Sequence, residues 1–170
     1  QFQISFVLLT FVLRTEHKGG YTLNYKYIEI IIIQNRDMKT NEEIVNNWLP
    51  RYTGRAIDDF GRYIILTNYN LYVELFAKWH NVSVEGKDKN MPSATAAGIT
   101  IINFGMGSPN AATIMDLLSA VDPNAVLFLG KCGGLKKKNK LGDLILPIAA
   151  IRSDGTSNDY LPNEVPALPA

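Results

Sequence analysis

The chain has 170 residues, 46% of them hydrophobic and 19% charged, which is enough apolar content for one packed domain and excludes a disordered chain. Seventeen Lys and Arg stand against sixteen Asp and Glu, so no net field exists to gather nucleic acid or an acidic membrane surface. A single cysteine excludes an intrachain disulfide, and Cys132 with His17 and His80 supplies no ordinary zinc site. No metal is expected, and a reducing, cytoplasmic setting fits best.

Two apolar runs, residues 6–13 and 28–33, mark the first 37 residues off from the rest. Both are too short to cross a bilayer as helices, and the first lacks the basic region and small-residue cleavage site of a secretory signal. Met38 followed by Lys39 and Thr40 reads as a translation start. Thr40 and Glu43 then have capping-box spacing, and Ile44, Val45 and Trp48 form the apolar stripe of a helix ending at Pro50. Residues 1–37 are therefore expected to be a non-native or unrelated extension, and residues 38–170 the folded unit.

Beyond this helix, residues 63–67 (YIILT) are β-branched and apolar, the pattern of a buried strand, and Asn68, Tyr69 and Asn70 end it. A helix follows whose apolar face is Tyr72, Leu75, Phe76 and Trp79. Residues 98–104 read as a second strand, closed by Gly105-Met106-Gly107. Ser108 suits an N-cap and Pro109 the first helical position, and Ile114, Leu117, Leu118 and Val121 share one face up to a stop at Asp122-Pro123. Residues 125–129 give a third strand, ended by residues 130–134 (GKCGG), and residues 143–150 a fourth. Alternation of this kind predicts an α/β fold with parallel strand pairs covered by helices, which binds ligands at the carboxyl ends of its strands. Three loops lie there: 67–70, 105–110 and 130–134.

Two glycines ahead of a helix start, Gly105 and Gly107, expose backbone N–H groups to an anion, although a tight turn alone also accounts for them. No third glycine follows and no GxxxxGK[ST] occurs, so neither a dinucleotide cofactor nor a P-loop nucleotide is supported and no cofactor is expected. Cys132 has no neighbouring histidine to activate it and reads as a small thiol. The lysines at 136, 137, 138 and 140 read as solvated surface.

Jointly these segments are specific. Residues 98–111 (GITIINFGMGSPNA), 129–134 (LGKCGG) and 141–147 (LGDLILP) resemble the nucleoside phosphorylase and nucleosidase superfamily. Within it, residues 51–55 (RYTGR), 66–70 (LTNYN) and the Lys131-Cys132-Gly133 element are similar to the AMP nucleosidases. The resemblance implies a three-layer fold with a central mixed sheet, cut short at the C-terminus. It implies that Gly105, Met106 and Gly107 face a ribose and its phosphate, that Cys132 and Gly133 lie against the purine, and that Asn68 and Asn70 belong to the substrate site.

Phosphorylases of this superfamily hold inorganic phosphate with a Gly-Asp-Pro turn after the first strand and with an arginine and a serine flanking the glycine of the third. The corresponding positions here are Asn68-Tyr69-Asn70, Phe128 and Lys131. Loss of the guanidinium fork disfavours free phosphate as nucleophile and leaves water. Lys131 either meets the 5′-phosphate of a nucleotide or serves as a loop-stabilising charge. The implied reaction is hydrolysis of AMP to adenine and ribose 5-phosphate, with AMP the small-molecule partner, no nucleic acid or membrane partner, and a homo-oligomer, often a hexamer in the family. The ribose-site glutamate and purine-side aspartate of the family are expected beyond Ala170, because Asp143, Asp154, Asp159 and Glu164 do not match their motifs. The fragment alone is then expected to be inactive. The alternatives are a purine nucleoside phosphorylase and a non-catalytic nucleotide-binding remnant.

Overall fold

The computed structural model of the chain describes residues 4–11 and 43–168. The expected start at Met38, the 37/38 boundary, Thr40, His17 and the 28–33 run lie outside these residues.

Among the described residues nine strands and α-helices occur in this order: β1 (Ile4–Phe11), α1 (residues 43–53), β2 (Tyr63–Thr67), α2 (Asn70–His80), β3 (Ser93–Ala96), β4 (Ile99–Asn103), α3 (Ser108–Leu117), β5 (Ala125–Gly133) and β6 (Leu144–Ile145). They build one mixed sheet in the order β3-β4-β2-β5-β1-β6. Its centre is parallel: β2 pairs with β4 from Tyr63↔Ile99 to Thr67↔Asn103 and with β5 from Tyr63↔Ala125 to Thr67↔Leu129. β3 is antiparallel to β4, and β1 is antiparallel to β5 and parallel to β6.

Period-2 alternation sorts the strands' side chains into two layers of core. Ile64 and Leu66, Ile102, and Val126 meet Leu49 of α1 and Ile114, Leu117 and Leu118 beside them on one face. Ile101 and Ala94 meet Val73, Phe76 and Ala77 of α2 on the other. This gives the α/β sandwich its three layers. Fully burying side chains such as Ile114 and Leu118 contributes roughly 1.5–3 kcal/mol each. Among the described residues no helix is long and apolar enough to cross a membrane.

Several expectations are corrected. α1 continues through Pro50 to residue 53, because the Gly54 amide donates to Pro50 O at 2.8 Å and Thr53 Oγ1 to Leu49 O at 2.7 Å. Its buried side is Val45, Leu49 and Tyr52, whereas Ile44 and Trp48 are exposed. On α2 the buried stripe is Val73, Phe76 and Ala77, and Trp79 is 75% exposed. Two stripes sharing Phe76 had the right period, and the smaller side chains let the helix lie closer to the sheet. β3 was not expected: residues 93–96 (SATA) have little strand propensity, but Ala97 and Gly98, both at positive φ, form a two-residue hairpin turn that brings them onto β4. Gly107 rather than Ser108 is the N-cap of α3, which moves Ser108 to the first helical position and Pro109 to the second. β5 does not stop at Leu129 but runs on through Gly133. Of the strand expected at 143–150 only Leu144–Ile145 forms, with a separate bridge between Ala150 and Ala167. The lysines at 136, 137, 138 and 140 are exposed, as expected.

Candidate functional site

Thr67, Asn103 and Leu129 are lateral neighbours across the three parallel strands. The segments leaving β2 and β4 therefore emerge side by side, adjacent strands being about 4.8 Å apart, while β5 runs on past them. Two of the expected loops, 67–70 and 105–110, leave from there; the third, 130–134, is instead a continuation of β5 through Gly133.

β2 ends because Thr67 closes a turn, its Oγ1 accepting the Tyr69 N–H at 3.3 Å, and α2 begins at once with Asn70. Asn103 bridges the loops. Its Oδ1 accepts the Gly105 N–H at 2.9 Å, and its Nδ2 donates to Asn70 Oδ1 at 2.5 Å. An asparagine bonding two residues ahead makes a tight turn without further secondary structure. Gly105 and Gly107 then sit at φ +83° and +92°, backbone that L side chains rarely adopt, and a Cβ on Gly105 would also come within 3.0 Å of Asn110 Nδ2. Pro109 carries no N–H, so the first turn of α3 presents the N–H groups of Ser108 and Asn110 along with the positive end of the helix dipole. Met106 is exposed on the tip of this loop. Asn68 Oδ1 is buried with no hydrogen-bond partner among the described residues.

β5 overhangs the end of β2 by four residues, Gly130 to Gly133. Because it stays a strand, Lys131 and Cys132 face opposite sides of the sheet. Lys131 lies on the α2 side, with Nζ 4.6 Å from the Tyr69 ring centroid and 5.4 Å from that of Tyr72. Cys132, half-buried, lies on the α3 side with Phe128, and Gly133 is exposed. Phe128 packs edge-on against Phe104 at 5.7 Å, and its ring lies so close to Gly130 that a Cβ there would be 2.9 Å from it. Thus Asn68, Asn70, Gly105, Gly107 and Lys131 gather at one edge. Met106, Cys132 and Gly133 border the same edge, and hydrogen bonds link Asn70 and Gly105 through Asn103.

Sequence reasoning missed Tyr69, Tyr72 and Asn103. Two tyrosines three apart at a helix start, and an asparagine just ahead of a glycine turn, were the available signals. Arg55 was quoted only as part of a motif. Its Nε donates to Ser93 Oγ at 3.2 Å on the β3 side, and burial pulls the guanidinium below its usual value while Glu85 and Asp59 oppose the shift. Among the described residues no group of three or more His, Cys, Asp or Glu is placed to hold a metal ion.

Asp143 and Asp154 are spent on local contacts. Asp143 Oδ2 accepts the Lys140 N–H at 2.8 Å, and Asp154 accepts the Ser157 hydroxyl at 2.6 Å, which holds its carboxyl below the usual range.

Comparison with known proteins gives a consistent picture. The Phosphorylase superfamily domain matches residues 62–170. A crystal structure of AMP nucleosidase from Bacteroides thetaiotaomicron is 62% identical with a TM-score of 0.71, the match covering 76% of this chain and 55% of that one. AMP nucleosidase of Escherichia coli (strain K12) is 28% identical over 155 residues, covering 69% of this chain and 32% of the relative. A guanosine phosphorylase from Halorubrum lacusprofundi is 34% identical over 89 residues, 52% of this chain and 33% of the relative. The chain spans about a third of the length of these two curated relatives.

Proposed function

The chain belongs to the phosphorylase superfamily, and from that premise we propose that it carries the first part of a domain that hydrolyses the N-glycosidic bond of AMP. The observation that carries this reading is the end of β5. Where phosphorylases of the superfamily place an arginine and a serine for inorganic phosphate, Phe128 is packed on Phe104, and Lys131 stands beyond it as a single cation. An aromatic ring in the core removes the bidentate anion ligand, which favours water over phosphate as the attacking group.

In this reading water adds across the bond. Its oxygen bonds to C1′ of the ribose, the C1′–N9 electron pair leaves with the purine, and the displaced proton ends on adenine. Gly105, Met106 and Gly107 with the first turn of α3 hold the ribose 5-phosphate, Cys132 and Gly133 lie against the purine, Asn68 and Asn70 line the site, and Lys131 meets the 5′-phosphate. The acidic groups for the ribose hydroxyls and the leaving purine come from sequence outside this chain, and assembly into a homo-oligomer, hexameric as is frequent in the family, belongs to the same reading. The carboxylates of Asp143 and Asp154 are tied into turns of their own, which supports an external source.

Adenine release decides the question, assayed on the 170-residue chain and on a chain extended by the remainder of the domain. The extended chain is expected to cleave AMP without added phosphate and adenosine at least about ten-fold more slowly, since the nucleoside forfeits charge-assisted hydrogen bonds. The 170-residue chain is expected to show no turnover. A requirement for phosphate, or equal use of adenosine, makes the protein a nucleoside phosphorylase instead. Turnover by the short chain places the acidic groups inside it.

A further inference from the structure

Lys131 is a half-buried cation, and among the described residues no carboxylate pairs with it. Two aromatic rings hold it instead. Its Nζ stands within the distance at which the negative face of a ring attracts a cation, 4.6 Å for Tyr69 and 5.4 Å for Tyr72. The two rings brace each other edge to face, with centroids 5.5 Å apart and planes inclined by 62°.

Such a bracket differs from a salt bridge in one respect. A carboxylate partner would neutralise the ammonium, and an incoming anion would have to displace it. A ring face orients the ammonium and limits the rotamers of its four-carbon stem, yet leaves the full charge and its N–H donors available. The position suits this use, since Tyr69 directly precedes α2, Tyr72 lies in its first turn, and Lys131 is on the overhang of β5 beside them.

We infer that Tyr69 and Tyr72 are positioning residues which hold the Lys131 ammonium toward the phosphate of a nucleoside 5′-monophosphate, and so set the preference for nucleotide over nucleoside. The inference rests on the reading of Lys131 proposed above and adds the two rings that make its charge effective. The competing role is architectural, with Lys131 merely fastening α2 to β5.

The test uses the chain extended by the remainder of the domain, rapid-mixing binding of AMP and of adenosine before turnover, and the NMR shift of the Lys131 ε-methylene. In the unchanged chain and in Tyr69→Phe, ring currents are expected to move that methylene upfield, and AMP to bind more tightly than adenosine. Tyr69→Leu is expected to return the methylene to an ordinary shift and to weaken AMP by about 3- to 10-fold while adenosine changes by less than about 2-fold. In a Lys131→Ala background, Tyr69→Leu is expected to have no further effect on AMP. Tyr72→Leu serves as the second probe and replaces Tyr69→Leu if circular dichroism shows that variant unfolded. Equal losses for both ligands, or a loss that persists without Lys131, overturn the inference and make the bracket architectural. An unchanged chain that binds AMP no better than adenosine overturns the phosphate reading itself, which is recognised without any variant.

Discussion

Residues 63–133 and residues 134–168 are both rich in large aliphatic side chains, yet they treat them in opposite ways. In the first region Ile102 and Ile114 are fully buried. In the second, Leu135, Ile148 and Ile151 are 98%, 85% and 94% exposed. The difference is backbone pairing. β2 is hydrogen-bonded on both sides and covered on both faces, so each apolar side chain finds a packed layer. Among the described residues beyond Gly134 the only strand is the two-residue β6, and the segment is held by polar contacts. Arg152 is its hub, donating to the carbonyls of Ser157, Leu161, Pro162 and Val165. Thr156 meets Ser108 at 3.1 Å, and Tyr160 donates to Asp116 at 2.9 Å, fastening the segment along α3. Apolar composition does not bury a chain unless its peptide groups also have partners.

The sharpest way to break this comparison is to cut the same side chain from both regions. Ile102→Ala is expected to lower the unfolding free energy by about 2–5 kcal/mol, because it leaves a cavity in a layer packed from two sides. Ile148→Ala is expected to stay within about 0.5 kcal/mol. Urea denaturation of both variants measures the contrast, and comparable losses would mean that the terminal segment has a packed partner in solution.

A smaller and local effect is expected of Arg152→Ala. Four carbonyls lose their donor, so protease cleavage between residues 152 and 165 should quicken by about ten-fold while the urea midpoint of the sheet barely moves. A matching shift of the global midpoint would show that the two regions unfold as one unit.

The smallest effect concerns pH. Burial, with the hydrogen bond to Asp116 and the charges of Asp116 and Asp159, pushes the Tyr160 phenol up to about 12 from its usual 10.0. A pKa raised in the folded state favours the protonated phenol, so the contact is fully present below about pH 10 and is lost as pH rises toward about 12. Tyrosinate absorbance should therefore lose a late-titrating component in Tyr160→Phe. A titration unchanged by Tyr160→Phe would show that the segment does not rest on α3 in solution.

The ends of β2 and β4 were legible from local residues because glycine and asparagine suit a sharp turn from strand into helix, and the loops after residues 67 and 104 carry them; the glycines after residue 129 misled, since residues 130–133 stay in β5. The apolar face of residues 114–121 was legible for a similar reason: a single stripe at helical period leaves one orientation. α2 was not, since its residues offer two stripes of the same period, and only contact with Ile101 and Ala94 selects Val73, Phe76 and Ala77 over Trp79. Residues 143–150 also read as a strand from their apolar run, but a strand exists only where another supplies hydrogen bonds.

By itself the sequence determined the α/β alternation, the parallel centre, the loops after β2 and β4 and the absence of an intrachain disulfide, all of which follow from period, turn chemistry and residue type. Only the tertiary structure decided which way the site's side chains face. The strand character of residues 130–133 separates Lys131 from Cys132 and sets the ammonium over Tyr69 and Tyr72. That choice depends on hydrogen bonds and packing between segments some sixty residues apart, and no local pattern encodes a partner at that distance.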